Sequence, residues 1–301
     1  MELYVLQLFN GLSISSILLL VALGLSITFG LMKVINMAHG ELIMIGAYST
    51  YLTQNLFKDY LPHSMFDWYF ALAIPASFAV AFCIGYILEL SLIRFLYGRP
   101  LDSLLATWGV GLVLQQLART IFGAPNVAVT SPSWLDGGIH VMSGTILPYK
   151  RLFIIALVLV CLLAMYLYIY RSHAGRNMRA VMQNRDMAAC LGISTRRVDA
   201  VTFAIGSGIA GIAGCALTLM GPIGPSLGTY YIVDAFMVVV LGGVGKLVGT
   251  VLGATGIGMF NTMFEYWTDA SLGKVLVFVC IVAFLQWKPS GFVAMRSRSL
   301  D

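Results

Sequence analysis

Residues 171–198, RSHAGRNMRAVMQNRDMAACLGISTRRV, form the longest charge-rich stretch in a chain otherwise made of apolar runs. Six arginines (Arg171, Arg176, Arg179, Arg185, Arg196, Arg197) accompany one acid, Asp186. Met178, Val181, Met182, Ala188 and Ala189 recur near helical spacing, with Arg176, Arg179, Gln183 and Asp186 on the opposite face. That pattern predicts a short amphipathic helix ended by Gly192. So basic a stretch belongs on the cytoplasmic side of a membrane protein. One reading is a solvated loop that only fixes topology. The other is a docking knob for another protein, favoured because two alanines and a glycine give it a smooth, close-packing surface.

The chain around this stretch has 301 residues, 59% hydrophobic and 10% charged, with a mean hydropathy of +0.88. Soluble domains carry roughly 25% charge, so the class is a polytopic membrane protein. The net charge of +5 does not point to nucleic acid, because the cations lie between apolar spans rather than on one patch. They read as topology signals facing lipid headgroups. The five cysteines (Cys83, Cys161, Cys190, Cys215, Cys280) form no CxxC pair, which argues against a metal site or disulfide framework. Met1-Glu2-Leu3 lacks the positive n-region of a cleaved signal, so the first apolar run is expected to be a retained span.

Leu3–Met32 carries no charge and exceeds the roughly 20 residues that cross a bilayer as helix. Trp68–Leu88, Ser103–Ala118, Leu152–Tyr170, Ala200–Met220, Tyr231–Val244, Leu247–Phe264 and Val275–Trp287 are further apolar segments, and Leu42–Phe57 is a short one expected to be interrupted or half-helical. Pro75 is an expected kink. The expected fold is all-α, one domain over 1–301 with about eight or nine membrane elements, some broken or re-entrant. Small residues repeat at four-residue spacing, which permits close helix contact. Gly206 and Gly214 form one such stripe with Ala210, and Gly245, Gly249 and Gly253 another, beside Gly242 and Gly243. Positive-inside reasoning places Lys33, Arg94, Arg99, the 171–197 arginines, Lys288, Arg296 and Arg298 in the cytoplasm, with the Pro/Gly-rich 123–148 loop and the N-terminus outside.

Polar groups inside the spans are costly and are functional candidates. Asn36-Met-Ala-His39-Gly40-Glu41 is the densest such group. Asn36 as a helix cap, with Glu41 favouring the dipole, is one reading. A substrate path lined by Asn36, His39, Gly40, Glu41 and Gln115 is the other, and the two are compatible where helices break. The His-x-Glu pair has no second His/Asp cluster or Gly-x-Ser-x-Gly to make a hydrolase. GGVGK (242–246) lacks both the first glycine and the Ser/Thr of a phosphate loop, so ATP hydrolysis is not expected of this chain. Asp234, Asn261 and Glu265 are lesser pore candidates, equally explained as caps or interhelical bonds. Gly-interrupted INMAHGELIMIG and VVVLGGVGKLVGT, one in each half, hint at a repeat-built transporter.

ITFGLMKVINMAHGELIMIGAYSTYL, GRNMRAVMQNRDMAACLGI and DAFMVVVLGGVGKLVGTVLGA, with the closing KPSGFVAMRSR, together resemble the membrane-spanning subunits of branched-chain amino-acid-type ABC importers. The likeness runs through nearly the whole chain, and within the family the wording is similar to the urea-importing branch. The resemblance implies a bacterial inner-membrane permease that pairs with a second, related permease, two cytoplasmic ATPase subunits and a periplasmic binding protein, and that binds no cofactor itself. It further implies that Arg176, Arg179, Asp186, Ala188, Ala189 and Gly192 belong to a segment docking in an ATPase cleft. The Glu-Ala-Ala…Gly coupling motif of other ABC importers is altered here: Met187 stands in the Glu position, and Gly192 follows Ala189 by three. The rival class is an ATP-independent secondary transporter or channel, which would need coupling carboxylates; Glu41, Glu89 and Asp234 are the available ones. A leucine rather than urea path would have to accept a zwitterion and a bulky side chain.

Overall fold

The computed structural model describes residues 2–32, 34–60, 62–142, 145–289 and 291–293. Lys33, Arg296 and Arg298, three of the expected topology markers, lie outside the described residues.

Eleven α-helices appear among the described residues. α1 (Glu2–Met32), α2 (His39–Tyr60), α3 (Tyr69–Ser91), α4 (Pro100–Phe122) and α5 (Tyr149–Arg171) come before the basic stretch; α8 (Thr195–Leu217), α9 (Leu227–Gly242), α10 (Leu247–Trp267) and α11 (Ala270–Trp287) follow it. Five have the length and apolar character to cross a membrane, and α9 and α11 are shorter apolar helices. These nine bundle helices match the expected polytopic all-helical class. The 123–148 segment adds an antiparallel hairpin of β1 (Gly138–Met142) and β2 (Thr145–Pro148) with a register irregularity between His140 and Met142. α3 runs on through Pro75.

The basic stretch is two helices rather than one, α6 (His173–Gln183) and α7 (Arg185–Cys190). The break has a local cause. Asn184 is extended, and its side chain accepts the Met187 N–H at 2.9 Å, capping α7 in place of continuing α6. Ser172 caps α6 in the same way through the Gly175 N–H. Gly192, at φ +80°, ends α7 in a Schellman turn, with the Ile193 N–H donating to Ala188 O. α6 and α7 mark one end of the bundle and the hairpin marks the other, where Arg151 of α5 holds Asn10 of α1.

Glycine decides how close the central helices come. A Cβ on Gly214 would fall inside the radius of the Ile43 carbonyl oxygen, and one on Gly46 inside that of Gly211 O, so α2 and α8 touch backbone to backbone. Gly206 meets Gly24 of α1 equally closely, and Gly242, Gly249 and Gly253 seat α9 on α10. These match the packing role read for small residues. Gly243 and Gly245 do not fit it. Both lie in the α9–α10 turn at φ +97° and +81°, where Gly243 donates to Val239 O as the residue that ends α9. Gly245 touches α1 at Gly30 from that turn, not from a helix face.

Two segments turn back into the bundle from opposite ends. α1 runs from the hairpin end to the α6–α7 end, and 34–38 returns so that His39 lies against Val21 and Gly24, middle turns of α1. α8 runs the other way, and 218–226 returns from the hairpin end, pinned there by two bonds of 2.8 Å between Val127 and Ile223. α2 and α9 therefore start inside the bundle, and their first turns touch at Gly40 and Gly228. The counterpart of INMAHG is thus 220–228, MGPIGPSLG, and not GGVGK as the glycine runs suggested. GGVGK is a turn at the bundle's end. Glycine content alone does not distinguish a turn from a re-entrant break.

Candidate functional site

The meeting of the α2 and α9 N-termini builds a polar site in the middle of an apolar bundle. Asn36 Oδ1 accepts the Ala38 N–H at 3.1 Å, turning the chain into α2. Met37 N–H donates to Thr107 Oγ1 of α4 at 3.1 Å, which ties the re-entrant segment to that helix. A Cβ on Gly40 would stand 2.5 Å from Gly228 O, so only glycine allows the two starts to come together.

Glu41 follows directly. Its Oε1 accepts from Gln115 Nε2 at 2.7 Å, and the same Gln115 nitrogen lies 2.7 Å from Thr229 Oγ1 in the first turn of α9. Three helices thus contribute one polar group each. Glu41 Oε2 is buried with no hydrogen-bond partner among the described residues. Beside it is a small cavity of about 70 Å³, lined among others by Met37, Glu41, Trp108, Gly111, Gln115 and Thr229. That is space for about two waters. Trp108 is 55% exposed at its mouth, so the site opens sideways along α4. The N–H groups of two helix starts also face inward here, an arrangement suited to polar or electron-rich groups.

Among the residues expected to line a path, Glu41 and Gln115 reach this cavity. Asn36, His39 and Gly40 do not. Asn36 is 1% exposed, with its Oδ1 held in the turn and its Nδ2 buried without a hydrogen-bond partner among the described residues. His39 is fully buried under α1, with Nε2 against Val21 O at 3.2 Å. Gly40 is the helix contact itself. Thr229 was missed, although it directly follows the last glycine of a glycine-containing break, as Glu41 does.

A second polar cluster joins α7 to the core. Arg185, the first residue of α7, pairs with Asp199 of α8, whose side chain is fully buried. The Arg185 guanidinium lies over the Tyr97 ring at 5.0 Å, and Tyr97 donates to Glu89 Oε1 of α3 at 2.8 Å. Burial pushes the Tyr97 hydroxyl well above its usual range, which keeps it a donor. The α6–α7 segment is therefore fastened to α3 and α8, and α8 in turn packs on α2. Around that fastening Met187 of α7 (59% exposed) and Leu191 just after it (75%) face outward, with Ala189 and Asp186 beside them. Ala188, expected as a contact, faces the other way at 2% exposed and packs inward with Met178 and Val181.

A bundle with two re-entrant helix starts meeting at a polar centre, and a basic helical knob at one end, is the architecture of a membrane transport subunit. The family model described as "Branched-chain amino acid transport system / permease component" matches residues 7–285. The chain belongs to that family, as a permease subunit of a branched-chain amino-acid-type ABC importer. It is the transport part of such a system, non-catalytic and binding no cofactor. The chain is 30% identical over 300 residues to the high-affinity branched-chain amino acid transport system permease protein BraD of Pseudomonas aeruginosa, covering 96% of this chain and 95% of that one. It is 30% identical to the LivH permease protein of Escherichia coli K12, covering 95% and 94%. Similarity extends at 24% to the LivM permease protein of Salmonella typhimurium, covering 96% of this chain and 70% of that one. No solved structure matches.

Proposed function

We propose that this permease carries urea, and that the substrate passes the Glu41–Gln115–Thr229 centre where α2 and α9 begin. The observation that supports it is the chemistry of that centre. Urea is small, neutral and rich in N–H donors, and it needs acceptors and donors without a counter-charge. Glu41 Oε2 is a buried acceptor awaiting a donor, and the cavity of about 70 Å³ suits four heavy atoms better than the nine of leucine. A branched-chain amino acid is the second reading, favoured by the printed names of the relatives.

The substitution pair Glu41→Gln and Glu41→Ala separates them. A neutral path keeps uptake in Glu41→Gln, whose Oε1 still accepts from Gln115 and whose Nε2 donates to the urea carbonyl where Oε2 had accepted a urea N–H, while Glu41→Ala and Gln115→Ala lose it by ten-fold or more, on the order of one charged or buried hydrogen bond. Equal loss in Glu41→Gln and Glu41→Ala would mean that the charge is required, and would favour a zwitterion.

The resemblance of this chain to both a LivH and a LivM supports pairing with a second, related permease. The sideways opening at Trp108 and Gln115 faces that partner, since polar groups at such depth do not face lipid. One of two ATPase subunits receives the α6–α7 knob in its cleft, and a periplasmic binding protein delivers substrate to the hairpin end. The protein sits in the bacterial inner membrane with the knob in the cytoplasm and the N-terminus outside. ATP binding then moves α7, and through Arg185–Asp199 it moves α8 against α2, opening the centre to one side. Arg176→Glu with Arg179→Glu is expected to abolish coupled uptake, because both sit on α6 beside the tip and the double change reverses its charge. Normal uptake with normal membrane levels in that variant would remove the docking assignment.

A further inference from the structure

The opposite face of α9 borders a larger cavity that the transport path does not use. It has a volume of about 600 Å³ and lies between α1, α9, α10 and α11. Its walls are apolar, with Ile14, Ile17, Leu18, Met220 and Val277. One side carries charge. Lys274 Nζ, one turn into α11, is 2.9 Å from Asp234 Oδ2 in the second turn of α9. Glu265, in the last turn of α10, accepts from Asn261 at 2.8 Å. Both acids had been candidates for the pore, and both belong here instead.

The pair is not self-sufficient. Asp234 is 8% exposed, and its Oδ1 is buried without a hydrogen-bond partner among the described residues. A buried carboxylate oxygen lacking a donor is costly, and a second ammonium satisfies it. Lys274, by contrast, is half exposed and has donors to spare for an anion. The site thus asks for an ammonium and an anion a few bonds apart. The cavity opens sideways onto the apolar outer surface, where Tyr230 (68%) and Val275 (57%) are exposed. Lys274 and Glu265 stand near the ends of α11 and α10, Lys274 reaches inward from there to Asp234, and the apolar walls run on beyond the pair.

We propose that this cavity binds a zwitterion carrying a primary ammonium group, supplied by the ethanolamine headgroup of a phospholipid of the surrounding bilayer. The ammonium meets Asp234 Oδ1, the phosphate meets Lys274, and an acyl chain follows the apolar wall. A trimethylated choline headgroup has no N–H to give Asp234, so the site selects against it.

The test is native mass spectrometry of the full-length protein after exchange into equal amounts of phosphatidylethanolamine, phosphatidylcholine and phosphatidylglycerol with matched chains. Phosphatidylethanolamine should be retained about ten-fold over phosphatidylcholine, the size of one charge-assisted hydrogen bond. Asp234→Asn and Asp234→Asn with Lys274→Gln should lose that preference. Lys274→Gln alone reads the phosphate contact if the Asp234 variants fail to accumulate. Thermal stabilisation of the detergent-solubilised chain by free leucine, lost in Asp234→Asn and without lipid preference, would keep the chemistry and make the source a soluble amino acid. Equal retention of choline and ethanolamine lipids with no effect of leucine, or a preference unchanged in every variant, overturns the proposal.

Discussion

Gly214→Val is expected to strip the protein from the membrane fraction. Its added carbons enter the space of the Ile43 carbonyl and the Ala47 N–H, backbone atoms of α2 that have no rotamer to retreat into. Overpacking against side chains costs about 1–3 kcal/mol, and backbone that cannot yield puts this case at the upper end or beyond. A loss of about 3 kcal/mol is a large part of the usual 5–15 kcal/mol. The damage also spreads, because α8 meets α2 at Gly214, α1 at Gly206 and α3 at Gly211. Gly109→Ala is the matched control: a Cβ there meets nothing within 4 Å, and the residue is helical, so membrane levels should be unchanged or slightly raised. Immunoblots of washed membranes, with thermal aggregation of the solubilised protein, measure both. Normal levels of Gly214→Val would mean that α2 and α8 do not pack as described.

The second large effect is at Arg185. Arg185→Ala removes the partner of an Asp199 side chain that is fully buried. Breaking a buried pair by removing one member costs about 3–5 kcal/mol, and the half-exposed guanidinium places this pair at or below the low end. The distinctive outcome is the double variant. Arg185→Ala with Asp199→Asn leaves no unpaired charge at position 199 and should regain most of the lost stability. It should not regain transport, because α7 is then no longer tied to α8. Thermal melting and uptake, measured on the two single variants and the double, give this separation. Recovery of uptake along with stability would show that the pair only stabilises the fold and does not carry motion.

Much of this architecture was legible in the residues. The apolar runs gave the bundle, and the Met178/Val181 spacing gave the buried side of the basic stretch. What failed, failed where local pattern has two meanings. Asn184 looks like any polar residue within an amphipathic period, yet as a cap it splits the stretch into α6 and α7. Gly245 repeats with Gly249 and Gly253 at the spacing of packing glycines, and Gly243 stands beside that stripe, yet both serve as turn residues with positive φ. INMAHG was recognised as a break, but its partner was sought in GGVGK because both are glycine-rich. The actual partner is GPIGPSLG (221–228), whose Gly/Pro content marks a break between helices without showing which way the chain then turns. Only the contact of Gly40 with Gly228 distinguishes a segment that re-enters from one that leaves.

The site was legible in part for the same reason. Glu41 and Gln115 stand out as polar groups in apolar runs. Thr229 is too ordinary a residue to stand out, and the destination of His39 depends on which helix covers it. Asp199, Tyr97 and Glu89 come from three separate stretches, and no spacing in the chain links them to Arg185.

The most direct measurement is uptake of labelled urea and labelled leucine in cells with and without this gene under nitrogen limitation, the deletion strain being complemented by the wild-type chain. Loss of saturable urea uptake with leucine uptake intact, restored by complementation, is the expected result. Loss of leucine uptake with urea uptake intact would contradict the substrate, and loss of neither would contradict the transport assignment at this centre.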